Sequence, residues 1–405
     1  MFPAAISTLR GLAGTAASAP PLLRRPGLRI ALLVSLAHGI NDAYAAFLHP
    51  LLPRIMERLG LNIALAATLG MVFAVSSSVL QPVAGLVADR FGRRALVVAG
   101  PVLSGVFLSL LGWAPSYRML LLLLILGGVG SALFHPPGAS YAARTGGGKG
   151  SGLRFSVFSV GGALGFALGP LLVVGWVGRV GVEGLWLAML PVLLFAPFLY
   201  LGLPADGSER PAVPPPGPME VARLLAGPLG LVFGISAAGA FAQRSFLTFV
   251  PIMADGAGAS EALGAGILSV YLAGQAFGTV AGGLLTDRMD RRRLLLLLTG
   301  LALPAHLLAL GLPLGSGAAL ASALAAGFLN MAILPPVVIL AQELVPRGAA
   351  VGSSVAMGLA WATGSLLLPL AGMLADGIGP QSAAMVTTGA FGVAFLLAGR
   401  PALRR

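Results

Sequence analysis

The sequence predicts an all-α membrane protein with twelve transmembrane helices arranged as two six-helix pseudo-repeats. Three observations support this fold class: the chain is too apolar for water, its length fits twelve spans, and its two halves share landmarks. Of 405 residues, 57% are hydrophobic and 9% are charged, and the mean hydropathy is +0.94. Soluble classes are excluded, because a soluble domain carries roughly 25% charged residues. With about 20 apolar residues in each span, the length accommodates about twelve helices.

Apolar windows of span length place the helices in order along the chain. They are predicted at residues 29–56, 63–88, 95–114, 118–142, 152–176, 183–203, 226–253, 261–286, 292–314, 317–344, 349–376 and 380–399. A polar, proline-rich stretch at 204–223 separates the sixth helix from the seventh. The sequence therefore predicts a tail, a first bundle, a linker and a second bundle, at residues 1–28, 29–203, 204–225 and 226–400.

Basic residues fall mainly on one side of the predicted membrane. The chain has 25 lysines and arginines, and most of them lie in the tail and the even-numbered connections. The opposite side carries Arg54, Arg58, Arg118 and Arg179. By the positive-inside rule, both termini are expected in the cytoplasm, in a membrane of the bacterial inner (plasma) type. The net charge of +12 then reflects orientation in the lipid bilayer, and no nucleic-acid partner is expected.

An internal repeat relates the two bundles. The segment Gly85–Arg94 returns as Gly283–Arg292, an offset of 198 residues. Prolines keep nearly the same offset, and the matching positions are Pro53 with Pro251, Pro136 with Pro335, and Pro170 with Pro369. Two halves in the same orientation enclose a cavity at their interface, which is the architecture of transporters that alternate access by rocking.

The repeated segment resembles the loop signature of the major facilitator superfamily. Residues 85–94 match its pattern G-x-x-x-D-R-x-G-R-R at every fixed position, and the second copy departs only at Asp290. The resemblance implies the major facilitator fold and secondary transport by alternating access. More narrowly, five segments resemble the fosmidomycin-resistance efflux family: 38–42, 50–53, 81–82, 131–136 and 158–170. That likeness implies proton-driven efflux, by an antiporter, of a small anionic or amphipathic compound such as a phosphonate-like drug.

The same resemblance assigns a gating role to the signature residues. A carboxylate at a helix end can accept hydrogen bonds from a neighbouring helix N-terminus and pair with arginine in one conformation only. The gating residues are expected to be Asp89, Arg90, Arg93, Arg94, Asp287, Arg288 and Arg291. The alternative is that they only end helices and fix topology. Outside the signature, Glu343 at the end of the tenth helix is expected to complete the gate, with capping of a charge cluster as the alternative.

Small residues on the fifth helix predict close helix packing. Gly161, Gly165 and Gly169 recur at four-residue spacing before Pro170, and small residues on one face let helices approach closely in lipid. The segment also resembles the superfamily's exporter signature, but Val173 and Val174 stand where that signature ends in two glycines.

Ionisable residues inside the membrane are candidates for function, because each costs at least about 2.5 kcal/mol at a helix centre. On a continuous first helix, His38, Asp42 and His49 share one face. We expect Asp42 to carry the coupling proton, with His38 and His135 as partners. The alternative is that Asp42 only accepts hydrogen bonds from its neighbours and never titrates.

Arg244 is predicted to bind an anionic substrate. It lies near the middle of the seventh helix with no acid close to it in sequence, and its planar fork of donors suits a phosphonate or carboxylate. The alternative is a structural pair with Asp42 or Glu343. Further substrate contacts are expected from His49, Gln243, Tyr271, Gln275, Asn330 and Trp361.

Other functions remain as alternatives at this stage. One is a proton symporter or uniporter that imports an organic acid or sugar, and a distant one is a lipid-modifying membrane enzyme. The chain contains no cysteine and none of the common hydrolase or metalloprotease motifs. We therefore expect no catalytic residue, cofactor or metal, and the partners should be a small-molecule substrate and protons, bound by a monomer.

Overall fold

The computed structural model describes residues 26–81, 83–84, 87–88, 92–144, 151–205, 218–345 and 349–403. Within these ranges all regular structure is helical, which confirms the predicted all-α membrane fold. The helices of the first half are α1 (Pro26–Ala45), α2 (Leu48–Leu59), α3 (Ile63–Val79), α4 (Arg93–Ser109), α5 (Tyr117–Arg144), α6 (Ser151–Val180) and α7 (Leu190–Gly202). Short 3₁₀ segments, Leu110–Trp113 and Glu183–Met189, follow α4 and precede α7.

The second half repeats this order after the short helix α8 (Pro218–Leu225). Its helices are α9 (Pro228–Gly256), α10 (Glu261–Thr286), α11 (Arg291–Gly311), α12 (Gly317–Ala332), α13 (Leu334–Leu344), α14 (Ala349–Ser353), α15 (Ala360–Leu366), α16 (Leu368–Ile378), α17 (Pro380–Thr387) and α18 (Ala390–Ala398). Among the described residues, ten helical segments are long and apolar enough to cross a membrane. The second and seventh of the predicted transmembrane helices are not among these ten. They correspond to α3, which is apolar but shorter, and to the 29-residue α9.

Several helices that the sequence predicts as continuous are interrupted, among them the first, tenth, eleventh and twelfth. The first breaks between α1 and α2 because Pro50 has no N–H for the carbonyl of Ala46 and its ring crowds that carbonyl. Pro335 and Pro369 stand in the first turns of α13 and α16 for the same reason. The eleventh helix also contains a π-helical turn, Ser354–Leu359, a rare form that occurs mostly as single turns.

Glycines bring pairs of helices into backbone contact. A Cβ on any of the three α6 glycines would collide with the backbone of α1: Gly161 at Ser35, Gly165 at Gly39, and Gly169 at Ala43. Three α10 glycines meet the backbone of α12 in the same way: Gly274 at Leu324, Gly278 at Phe328, and Gly282 at Ala332. Pro170 lies within α6 and does not end it. These contacts fix α1 against α6 and α12 against α10.

The internal repeat is visible in hydrogen bonds as well as in sequence. Ser35 on α1 donates to the carbonyl of Val157 on α6 at 2.6 Å, and Ser236 on α9 donates to the carbonyl of Ala356 in the π-helical turn. Arginines of the two signature segments also match, since Arg94 donates to the carbonyl of Tyr200 and Arg292 to that of Gly399. The two halves therefore share local contacts that hold their outer helices.

The two halves are joined at the end of the molecule that lies away from the signature segments. Arg54 on α2 forms an ion pair with Glu261 on α10, with Nη2 and Oε2 2.9 Å apart. Asp376 on α16 accepts hydrogen bonds from the backbone N–H groups of Ile63 and Ala64, at 2.8 and 3.1 Å. Both links cross from one half to the other, so this end is closed in the structure.

Candidate functional site

A cluster of two histidines and one carboxylate lies between α1 and α5. Asp42 Oδ2 is 3.2 Å from His38 Nε2, and Asp42 Oδ1 is 3.4 Å from His135 Nε2. The first contact follows from the helix, because residues four apart share a face. The second depends on how α1 and α5 pack. The side chains are 10%, 18% and 28% exposed for His38, Asp42 and His135, so His135 is the most accessible of the three.

Backbone carbonyls fix the orientation of both imidazole rings. His38 Nδ1 lies 2.8 Å from the carbonyl oxygen of Phe158, and His135 Nδ1 lies 2.7 Å from that of Ser131. A carbonyl oxygen only accepts hydrogen bonds, so we assign a proton to Nδ1 of each ring. Both Nε2 atoms therefore face Asp42.

Neighbouring side chains hold this arrangement in place. The His38 ring stacks on Phe158 with centroids 4.1 Å apart. Asn41 is fully buried and donates to Asp42 Oδ1 at 2.9 Å and to Ser131 at 3.4 Å. Gly162 makes room for the His38 ring, since a Cβ there would overlap it. The cluster is thus supported from α1, α5 and α6.

The spacing of the cluster also bears on metal binding. One ligand atom from each of His38, Asp42 and His135 lies within 4.8 Å of the others, close enough to hold a metal ion. Three protein ligands would leave the fourth position of a metal ion open, as in catalytic zinc sites. The direct Nε2 to Oδ contacts are also suited to sharing protons.

A second polar group lies where α2 and α9 meet at the interface of the two halves. Arg244 is 8% exposed and His49 is 2% exposed, and they lie on the two helices that meet there. Neither Arg244 Nε nor His49 Nε2 has a hydrogen-bond partner among the described residues. The buried hydroxyls of Ser245 and Thr248 also lack a partner there. Buried polar atoms without a partner, one of them on a guanidinium, are an environment that a bound anion would satisfy.

The group draws on both halves of the molecule. A Cβ placed on Gly70 of α3 would lie 3.4 Å from Thr248 Oγ1 and 3.8 Å from His49 Nε2. His49 does not join His38 and Asp42, because the break before α2 ends the continuous helix on which the shared face was predicted. The alternative pairs for Arg244 are not made, since Asp42 contacts the two histidines and Glu343 pairs with Arg291.

Three of the predicted substrate contacts form a chain of buried amides. Gln243 Nε2 donates to Gln275 Oε1 at 2.8 Å, Gln275 Nε2 donates to Asn330 Oδ1 at 3.2 Å, and Asn330 Nδ2 donates to the carbonyl of Gly239 at 3.0 Å. Tyr271 lies on α10 one turn before Gln275. Its hydroxyl is 3.2 Å from Nε2 of the fully buried His306, so His306 has a structural partner.

The remaining predicted residues fall in several places. Trp361 is half-buried on α15, and its indole makes no hydrogen bond to a described residue. Arg94 lies 3.8 Å from the centre of the Tyr200 ring, and Arg291 pairs with Glu343. Asp287 and Arg288 follow α10 directly, and Arg93 is the first residue of α4. Asp89 and Arg90 lie outside the described residues.

Sequence reasoning missed several residues that support the site. Gly162 stands beside the predicted Gly161, so proximity in sequence was a usable signal for it. The carbonyl of Phe158 has no such signal, because its partner depends on helix packing. The hydrogen bonds between Asp376 and the start of α3 were also not predictable from the sequence, because they depend on how the two halves pack.

The fold and these sites can be compared with known proteins. The family model of the Major Facilitator Superfamily matches residues 34–369. The uncharacterized MFS-type transporter YfnC of Bacillus subtilis (strain 168) is 28% identical, over 94% of this chain and 96% of its own. The fosmidomycin resistance protein of Escherichia coli (strain K12) is 27% identical, over 90% of each chain.

A solved structure shows the same fold. A bacterial homolog of the human lysosomal transporter Spinster, in an inward-facing and unoccupied conformation, superposes with a TM-score of 0.73 at 18% identity, over 94% of this chain and 97% of its own. Because the family model covers most of the sequence, this chain belongs to the Major Facilitator Superfamily: it is a multi-pass membrane transporter and not an enzyme.

Proposed function

We propose that this protein is a proton-coupled antiporter that exports a small anionic or amphipathic compound by alternating access. The observation that carries the proposal is the cluster in which both imidazole Nε2 atoms face Asp42. The name of the fosmidomycin resistance protein, a relative over nearly the whole chain, supports efflux.

The hydrogen-bond pattern makes the cluster a proton-binding unit. With Nδ1 protonated, a neutral ring turns an Nε2 lone pair towards Asp42, and a lone pair repels an ionised carboxylate oxygen. Each Nε2 to Oδ contact becomes favourable only when a proton lies between the two atoms. The three residues interact so closely that protons belong to the cluster as a whole. Loss of protons leaves repulsive contacts, so proton release favours separation of Asp42 from His135.

The second half supplies the complementary charge. Arg244 carries its positive charge in a buried position without an acidic partner among the described residues. Burial of an unpaired charge is costly, and a bound anion removes that cost. We assign Arg244 to the anionic group of the substrate, with His49 beside it and with Gln243, Tyr271, Gln275, Asn330 and Trp361 as further contacts.

The signature segments are assigned to gating at the end opposite the Arg54–Glu261 link. Arg291 with Glu343, and Arg94 with Tyr200, hold helices within one half. Asp287 and Arg288 follow α10 at that end and are assigned contacts with the other half when it closes, and the same role is assigned to Asp89 and Arg90 of the first signature segment. In this scheme the protein works as a monomer with both termini in the cytoplasm.

Reconstituted transport with an imposed pH gradient tests the proposal. The purified protein is placed in proteoliposomes, and uptake of protons during counter-flow of a phosphonate is followed with an internal pH dye. We expect Asp42→Asn to abolish gradient-driven flux while ligand binding persists. The matched control is Asp255→Asn, which changes an exposed carboxylate at the end of α9 and should transport normally.

Two results would contradict the scheme. Full proton-coupled flux in the Asp42→Asn protein would remove Asp42 from the mechanism. Flux of substrate in the same direction as protons would favour an importing symporter, the principal alternative. A chelator tests whether the coupling ion is a metal ion or a proton. Proton-coupled flux should be unchanged when the chelator is added.

A further inference from the structure

The cluster of His38, Asp42 and His135 has the ligand set of a transition-metal site. Two histidines and one carboxylate are the protein ligands of several zinc sites. Imidazole nitrogen suits Zn²⁺ and its neighbours in the first transition row, whereas Mg²⁺ and Ca²⁺ prefer oxygen ligands. One ligand atom from each of the three residues lies within 4.8 Å of the others. The chemistry of the cluster therefore favours a divalent cation such as Zn²⁺.

The distances across the cluster match the edges of a tetrahedral zinc site. Zinc binds nitrogen and oxygen ligands at about 2.0–2.1 Å, so two ligand atoms at the tetrahedral angle lie about 3.3–3.4 Å apart. His38 Nε2 and Asp42 Oδ2 are 3.2 Å apart, and His135 Nε2 and Asp42 Oδ1 are 3.4 Å apart. The two contacts use the two oxygens of one carboxylate, which can bind an ion through either or both. An ion between these atoms therefore requires little movement of α1 or α5.

Backbone carbonyls already orient both imidazoles as a metal requires. A metal-binding histidine donates the N–H of its other ring nitrogen to a carbonyl or carboxylate oxygen, which fixes the tautomer. His38 Nδ1 lies 2.8 Å from the carbonyl oxygen of Phe158, and His135 Nδ1 lies 2.7 Å from that of Ser131. Each ring therefore turns an Nε2 lone pair towards the carboxylate, which is the form in which a neutral histidine binds a metal.

The surroundings hold the carboxylate and leave space beside it. Asn41 donates to Asp42 Oδ1 at 2.9 Å, which fixes the plane of the carboxylate. A Cβ at position 162 would lie 2.4 Å from His38 Nε2, so Gly162 keeps that nitrogen unobstructed. The His135 side chain is 28% exposed, so the cluster is not sealed. Water can fill the fourth position of an ion that these three residues hold.

We infer that His38, Asp42 and His135 form a binding site for a divalent cation of the zinc class, and that the bound ion inhibits transport. The site itself rests on the contacts given above. Its inhibitory effect rests on the proposed role of the cluster in proton coupling, because the ion occupies the same atoms as the protons and holds α1 to α5. The inference departs from the expectation, drawn from the sequence, that the chain binds no metal.

Calorimetric titration of the full-length purified protein with Zn²⁺, after removal of any histidine tag, tests the site. We expect one ion to bind per chain. Asp42→Asn and His135→Gln should each weaken binding by at least about tenfold, since even the groups that orient a metal ligand are worth about 10–100-fold in affinity. Asp255→Asn and His306→Gln are the matched controls, because they change the same residue types outside the cluster and should bind Zn²⁺ normally.

Cobalt substitution reports the geometry of the site and separates it from weak surface binding. Co²⁺ in a four-coordinate site absorbs visible light far more strongly than hydrated, octahedral Co²⁺, so its spectrum is diagnostic of geometry. We expect intense visible bands in the wild-type protein that disappear when Zn²⁺ is added. The bands should be absent from Asp42→Asn and His135→Gln. Size-exclusion profiles that match the wild type establish that these variants are folded.

Inhibition is measured in proteoliposomes. Zn²⁺ at a free concentration that saturates the site should abolish proton-coupled flux, and a chelator should restore it. Absence of Zn²⁺ binding, or binding and Co²⁺ bands that persist in both cluster variants, would overturn the site and leave the proposed proton coupling standing. Binding at the cluster with undiminished flux would overturn the inhibitory role, and it would also remove the cluster from the transport mechanism.

Discussion

Asp376 caps the first turn of α3 from the other half of the molecule, accepting hydrogen bonds from the backbone N–H groups of Ile63 and Ala64. The N-terminal N–H groups of a helix have no partner within the helix and carry a partial positive charge. A carboxylate from α16 therefore ties the two bundles together without a basic side chain. The neighbouring pair of Arg54 and Glu261 does the same between α2 and α10.

These two links should set the balance between conformations. We expect Glu261→Gln combined with Asp376→Asn to favour opening of this end, with a change of about five- to tenfold in the equilibrium, since two partly exposed links contribute about 1 kcal/mol in total. The chain has no cysteine, so Thr248→Cys would supply a single reactive thiol in the closed interface. Its rate of labelling by a maleimide should rise in the double variant. An unchanged rate would show that the links do not hold this end closed.

Gly162 should be needed for proton coupling. A Cβ at this position overlaps the His38 ring, so Gly162→Ala should displace His38 from Asp42 and reduce proton-coupled flux at least tenfold. Gly178→Ala on the same helix is the control, because nothing lies within 4 Å of a Cβ there. Equal flux in the two variants would show that the position of His38 is unimportant.

Helix packing in the second half predicts that one glycine to alanine substitution lowers the melting temperature, the opposite of the usual effect. Glycine to alanine normally stabilises a helix interior by about 1 kcal/mol. Gly278→Ala should instead lower the melting temperature, because its Cβ would meet the backbone of Phe328, whereas Gly266→Ala has open space. Thermal unfolding of the purified variants in detergent measures the difference. A higher melting temperature for Gly278→Ala would contradict the packing described here.

Replacement of Arg244 should abolish anion binding without lowering the thermal stability of the protein. Because the guanidinium is buried and no described acid pairs with it, Arg244→Met should leave the melting temperature of the ligand-free protein unchanged or raised, and should abolish anion binding. Arg58→Met is the contrast, since Arg58 donates to the carbonyls of Leu111 and Ala114 at 3.2 and 3.1 Å and should be destabilising when replaced. A large loss of stability in Arg244→Met would indicate a structural role.

Some parts of the site were predictable because they depend on local geometry. His38 and Asp42 are four residues apart, so any helix at this position brings them together. Arg244 was recognisable as a buried charge because its surroundings in sequence are apolar and contain no acid. The same reasoning failed for His49, since one proline ended the helix on which the prediction relied.

The sequence by itself determined the all-α class, the order of the helices and the relation of the two halves, because hydropathy and repeated motifs are properties of short segments. The tertiary structure decided which atoms meet across helices. The Phe158 carbonyl orients His38, His135 reaches Asp42, and Asp376 caps α3 only because particular pairs of helices cross at particular heights. Glycines allow those close crossings, and the hydrogen bonds then depend on distances of a few tenths of an ångström, which no periodicity in a sequence encodes.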